Sequence, residues 1–155
     1  MNDTRPLKTF GDKTYRCFFE LALLVMGGKW KPIILYRLGV HGVLRFSELK
    51  RSIPEVTDRM LTRQLRELEA DGLITREVYR EVPPRVEYGL TSLGQGLFPI
   101  LLDMRNWGAE YEKARGMSDE ATDEKCAVYP WPTPPSRSAA EKAHRVPGLA
   151  APARR

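Results

Sequence analysis

Cysteine is scarce. Cys17 and Cys126 stand far apart in a chain of 155 residues, which leaves no close-spaced metal or redox pair and too few thiols for a disulfide framework. A reducing compartment suits this usage best. Histidine is as rare, and His41 and His144 lack partners at ligand spacing, so no metal site is expected. Long hydrophobic runs are missing too. The most apolar one, Cys17 to Met26, is interrupted by Glu20 and has about half of the ~20 residues a membrane span needs. The N-terminus carries Asp3, Arg5, Lys8, Asp12 and Lys13 in place of the apolar stretch of a secretory signal. The expectation is a cytoplasmic chain without a membrane partner. The groups of catalysis are missing as well: no nucleophile stands with a base, no carboxylates pair, and Gly27-Gly28-Lys29 lacks P-loop spacing and follows a predicted helix, not a strand. The chain is expected to be no enzyme and to hold no cofactor.

What is present is apolar matter for one core, 42% of the residues, together with a net charge of +5. A basic surplus favours a polyanionic partner, because neutralising phosphates releases counterions. Apolar density is concentrated from Tyr15 to Trp107. After Gly116 an acidic patch (Asp119, Glu120, Asp123, Glu124) gives way to prolines, and six of the twelve prolines lie in these last forty residues. Such a segment buries too little apolar surface to offset its ordering entropy. Residues 1–14 are accordingly read as an N-terminal arm, 15–115 as the folded domain and 116–155 as a disordered tail.

Within the folded part, Cys17 to Met26 reads as a buried helix stopped by Gly27-Gly28, and Pro32 suits the first turn of a second helix, Lys31 to Leu38. Leu44-Arg45-Phe46 suits a short strand. Ser47 then supplies an N-cap, with Glu48 in the first turn of a short helix ending before Pro54. Thr57 repeats the device with Asp58 behind it, and that helix runs to Gly72. Leu73 to Tyr79 and Arg85 to Leu90 alternate around Val82-Pro83-Pro84, which predicts a hairpin. Ser92 and Gln95 have capping-box spacing ahead of a long amphipathic helix, which Pro99 should kink or delay. The fold class is mainly α with a small β-hairpin. Two short helices followed by a two-stranded ribbon is the order of a winged helix-turn-helix, whose second short helix enters the major groove.

Leu61, Leu65 and Leu68 share one face of the helix from Thr57, while Arg59, Arg63 and Arg66 fall opposite, with Thr62 beside them. Arginine can bridge a guanine or hold a phosphate, and threonine can meet a phosphate, a base edge or a thymine methyl. The plainer alternative is a solvated basic face. Arg80 and Arg85 flank the hairpin loop, either as wing contacts to DNA or as charge pairs with Glu81 and Glu87. Arg45 and Ser47 suit phosphate contacts ahead of a helix start, unless Ser47 is only a cap. With Thr57 and Asp58, these complete the candidate DNA-contacting set. In the last helix, Leu97, Leu101, Met104, Trp107 and Tyr111 form a stripe too large for one small core. With Phe18, Phe19 and Leu23 of the first helix it predicts a two-fold dimer, the alternative being an ordinary core helix. Cys17 follows Arg16 near a helix start, a setting for a reactive thiol, although a buried inert cysteine is the more common outcome.

Gly27-Gly28-Lys29-Trp30, the segment Arg45 to Leu49, the segment Met60 to Leu68, the segment Glu81 to Tyr88, and Leu90-Thr91 together resemble the HxlR family of bacterial winged helix-turn-helix regulators. The match spans roughly Cys17 to Tyr111. The resemblance implies a dimer built from the first and last helices, recognition through the helix beginning near Thr57, and wing contact by the hairpin. Some members carry a single cysteine just before the first helix that senses electrophiles or oxidants, and Cys17 occupies the matching position, followed here by Phe18 where proline is common. The expected function is a sequence-specific, homodimeric DNA-binding regulator whose effector the sequence does not identify. The competing reading is a winged-helix module for protein contacts.

Overall fold

The computed structural model describes residues 5–116. The chain divides into one unit of Met1–Ala109 and a second of Glu110–Arg155, and in the second only the end of the last helix is described. The tail expected for 116–155, with Cys126 and His144, lies beyond Gly116 outside the described residues.

The N-terminal segment is not a plain arm. Over β1 (Lys8–Phe10) and β2 (Lys13–Tyr15) it forms an antiparallel hairpin with Phe10 opposite Lys13. Its two-residue turn begins with Gly11 at φ +60°, the left-handed conformation that glycine adopts freely and that tight hairpins require at this place.

Helix α1 (Phe18–Met26) has Cys17 as its N-cap: Sγ accepts from the Glu20 N–H at 3.4 Å, and the Glu20 carboxylate accepts from the Cys17 N–H at 3.3 Å. The expectation of a buried helix is corrected here. No residue of α1 is buried, and Phe18 and Phe19 are 75% and 72% exposed. Only Val25 and Met26, at its end, pack on the core.

The core lies under α2 (Trp30–His41), α3 (Phe46–Ser52) and α4 (Asp58–Ala70), against a three-stranded antiparallel sheet of order β3 (Leu44–Arg45), β5 (Arg85–Leu90), β4 (Ile74–Tyr79). Ile34, Leu35 and Leu38 of α2 meet Leu49 of α3 and Leu61, Leu65 and Leu68 of α4, with Ile74 and Tyr88 from the sheet. Full burial of each aliphatic side chain contributes about 1.5–3 kcal/mol.

Helix α2 begins at Trp30, one residue before the reading from sequence, and runs on to His41; two further helix starts also differ by a residue or two. Helix α3 begins at Phe46 with Arg45 as its boundary residue, because β3 runs straight into it; Glu48 accepts from the Arg45 N–H at 2.7 Å, and Ser47 sits exposed inside the first turn. Helix α5 (Ser92–Ala114) is capped by Thr91, not Ser92: the Thr91 hydroxyl accepts from the Gly94 N–H at 3.0 Å and donates to the Gly72 carbonyl at 2.7 Å. Pro99 lies inside α5 and does not delay its start. Where α5 crosses α2, Phe98 lies against Gly39, and a Cβ at Gly39 would collide with that ring.

Candidate nucleic-acid interface

Helix α4 is placed by its own chemistry at both ends. The Thr57 hydroxyl accepts from the Met60 N–H at 3.2 Å, Asp58 occupies the first turn, and Gly72 at φ +71° turns the chain away after Ala70. Leu61, Leu65 and Leu68 point into the core, leaving Arg59, Arg63 and Arg66 exposed and Thr62 half-buried between the two faces. The basic face predicted from spacing therefore exists as an exposed surface.

Its arginines are not equivalent. Arg59 and Arg66 make no ion pair among the described residues, whereas the Arg63 Nε lies 2.8 Å from Glu67. The other Glu67 oxygen is 3.0 Å from the Nζ of Lys31, a lysine buried on α2 that also stands 3.9 Å from Asp71. Asp71 in turn holds Lys13 of β2 at 2.7 Å. Hydrogen bonds from Arg63 and then Lys31 hold the Glu67 carboxyl below its ordinary range, against a smaller opposing effect of burial. The Asp71 contact raises the Lys13 ammonium above the usual lysine range. This line of charges ties the N-terminal hairpin and α2 to α4.

The hairpin of β4 and β5 separates its two expected arginines. Arg85 is half-buried: its guanidinium lies 3.0 Å from Glu81 and 3.3 Å from Glu87, and stacks 4.0 Å from the centre of the Tyr79 ring. Of the two alternatives for Arg85, the charge pair within the hairpin is the one present in the free chain. Arg80 remains, exposed and without an ion pair among the described residues. Arg45 is more than half exposed, with only a distant contact of 3.9 Å to Glu87.

Arg76 was missed by the sequence reading. Alternation along β4 puts it on the same face as buried Ile74, and it pairs in register with Tyr88 of β5. With Thr62 and Arg66 it lines a cleft of about 290 Å³ between α4 and the sheet. A charge on the apolar face of a strand was the available signal.

The predicted dimer stripe also divides. Leu101 is buried at 4% exposure and Leu97, partly buried, packs on the core, so both contribute to the domain's own interior. Met104 and Trp107 are exposed, as are Phe18, Phe19 and Leu23 of α1 and, in the second unit, Tyr111. No described helix is long and apolar enough to cross a membrane.

The HxlR-like helix-turn-helix family model matches residues 25–115. An uncharacterized HTH-type transcriptional regulator of Methanothermobacter thermautotrophicus is 54% identical over 110 residues, covering 71% of this chain and 83% of the relative. Among solved structures, the redox regulator HypR in its oxidized form is 54% identical with a TM-score of 0.58, covering 61% of this chain and 96% of that one. HypR in its reduced form is 50% identical with a TM-score of 0.60, covering 64% and 98%.

Proposed function

The chain belongs to the HxlR-like helix-turn-helix family of DNA-binding transcriptional regulators, and from that premise we propose that it acts in the cytoplasm as a homodimer that reads an operator through α4. The observation that carries this reading is the exposed face of α4, where Arg59 and Arg63 project beside Thr62, opposite three buried leucines. In the major groove, Arg59 and Arg63 grip guanine edges, Thr62 meets a thymine methyl, and Asp58 accepts from a cytosine amino group. Thr57 and Ser47 contribute hydroxyls, and Arg45, Arg66, Arg76 and Arg80 contribute charge, to the phosphates on either side.

The dimer is supported by exposed Phe18, Phe19 and Leu23 on α1 and Met104 and Trp107 on α5, with Tyr111 farther along the same helix. Large apolar side chains left in water in such number mark an interaction surface. Signal reception is assigned to Cys17, a half-buried residue that caps the first turn of α1, the proposed dimer helix. The oxidized and reduced forms of HypR, a redox regulator at about half sequence identity, support that assignment.

The test is binding of the purified protein to DNA from upstream of its own gene, across a salt series and against unrelated competitor DNA. A palindromic footprint with half-sites about one helical turn apart is expected, and Arg59→Ala or Arg63→Ala should each weaken binding. Variants that bind as tightly as the wild type would favour a protein-contact module instead. Peroxide treatment should change the affinity of the wild type and leave Cys17→Ser unaltered.

A further inference from the structure

We infer that Glu67 is a positioning residue for base reading: it fixes the guanidinium of Arg63 so that its two Nη groups meet a guanine in the major groove. The inference rests on the reading of α4 given above and adds the carboxylate that sets one of its arginines. Arg63 and Glu67 stand four residues apart on α4, which makes them neighbours on one face. The Arg63 Nε donates to Oε1 of Glu67 at 2.8 Å, while Oε2 lies 3.0 Å from the Nζ of Lys31. Each carboxylate oxygen is thus engaged by a different cation. An exposed helix pair is ordinarily loose, because both long side chains are free to move. Here one end is pinned, since Lys31 of α2 is only 8% exposed and a buried ammonium holds firmly to its carboxylate. Arg63 is 72% exposed, so its guanidinium projects into the open from an anchored acceptor.

Arginine carries five N–H donors, one on Nε and four on the Nη pair. With Nε occupied, the Nη pair is left to reach guanine O6 and N7 together. A released Arg63 would turn as readily to a phosphate or to the acceptors of another base, and would lose more freedom on binding. Bonds from Arg63 and then Lys31 hold the Glu67 carboxyl below its ordinary range, so the clamp is charged at neutral pH. Arg59, which makes no ion pair among the described residues, has no such constraint and serves as the internal control.

The test is selection of a site from a random duplex pool by the full-length protein, followed by Kd values for that site with each base pair in turn replaced. Two variants release Arg63 by different means. Glu67→Gln keeps one acceptor oxygen, which the buried Lys31 claims, so the amide NH2 faces Arg63. Glu67→Asp keeps the charge but is too short to span both cations. At the base pair that Arg63→Ala relaxes, each variant should lose about two- to tenfold of its preference for guanine, with the pair read by Arg59 unchanged. Adding Arg63→Ala to Glu67→Gln should relax that pair no further than Arg63→Ala alone. Equal weakening at every position is what a merely structural role would give, and it would overturn the proposal. So would an Arg63→Ala protein that binds all sequences more weakly with a salt slope lower by about 1, because Arg63 would then hold a phosphate. A wild type that selects no sequence overturns the regulator reading and the clamp with it. A wild type that selects a site, with the guanine preference at the Arg63 pair intact in both Glu67 variants, overturns the clamp alone.

Discussion

Lys31→Met is expected to destabilise the protein at neutral pH, and by an amount that shrinks in acid. The Lys31 side chain is 8% exposed and its Nζ stands 3.0 Å from Glu67 and 3.9 Å from Asp71. Methionine keeps the buried hydrocarbon stem and removes only the charge. Breaking a fully buried ion pair costs about 3–5 kcal/mol, because one charge is left uncompensated. Here neither carboxylate is abandoned: Glu67 keeps Arg63 at 2.8 Å and is 36% exposed, and Asp71 keeps Lys13 at 2.7 Å. Solvent and these second partners reduce the expected loss to about 1–2 kcal/mol, or a fall in melting temperature of roughly 5–15 °C for a domain of this size. The pH dependence follows from Glu67, whose folded carboxyl is held below its ordinary value of 4.5. Stability from such a group is fully present above the unfolded pKa and is lost as pH falls through the depressed folded pKa. Urea unfolding of wild type and Lys31→Met, at neutral pH and well below the carboxylate range, measures both gaps. A variant as stable as wild type at neutral pH, or a gap unchanged in acid, would refute the reasoning.

Leu65→Ala should cost about 2–5 kcal/mol in urea unfolding, since Leu65, 2% exposed, lies on the core-facing side of α4; a loss under 1 kcal/mol, roughly, would show that the site collapses freely. Arg80→Ala should lower the salt slope of DNA binding by about 1, whereas Arg85→Ala should leave the slope alone and loosen the hairpin, seen as faster amide exchange in β4 and β5. Gly39→Ala should lower the melting temperature, because its methyl meets the Phe98 ring, and Phe98→Leu in the same chain should recover part of the loss. Phe19→Glu combined with Met104→Glu is expected to yield monomers in sedimentation, with DNA affinity reduced by loss of the second half-site; a stable dimer would place the interface elsewhere.

Much of the reading surface was legible because its signals are local. Thr57 before Asp58, three leucines at helical spacing and Gly72 at the end specify α4 within a few turns of chain. The N-terminal hairpin had a signal as well, Gly11-Asp12 between short alternating stretches, but strands this exposed carry no apolar pattern to announce them. The two helix starts were displaced for a related reason: Ser47 and Ser92 are good caps in isolation, while pairing of β3 with β5 and the bond from Thr91 to Gly72 set the real boundaries.

The sequence by itself determined the order of elements from α1 onward, the basic face of α4 and the family, since each rests on residues close in the chain and on periodicity. Only the tertiary structure decided how the charges pair within the chain. Arg85 is neutralised by Glu81 and Glu87, Arg63 is tied through Glu67 to Lys31, and Lys13 reaches Asp71 across 58 positions of sequence. It likewise decided that Leu101 faces inward while Met104 and Trp107 stay exposed. The physical reason is that hydrophobic periodicity assigns a residue to a face, but an ion pair depends on what the rest of the chain brings within about 3 Å of it.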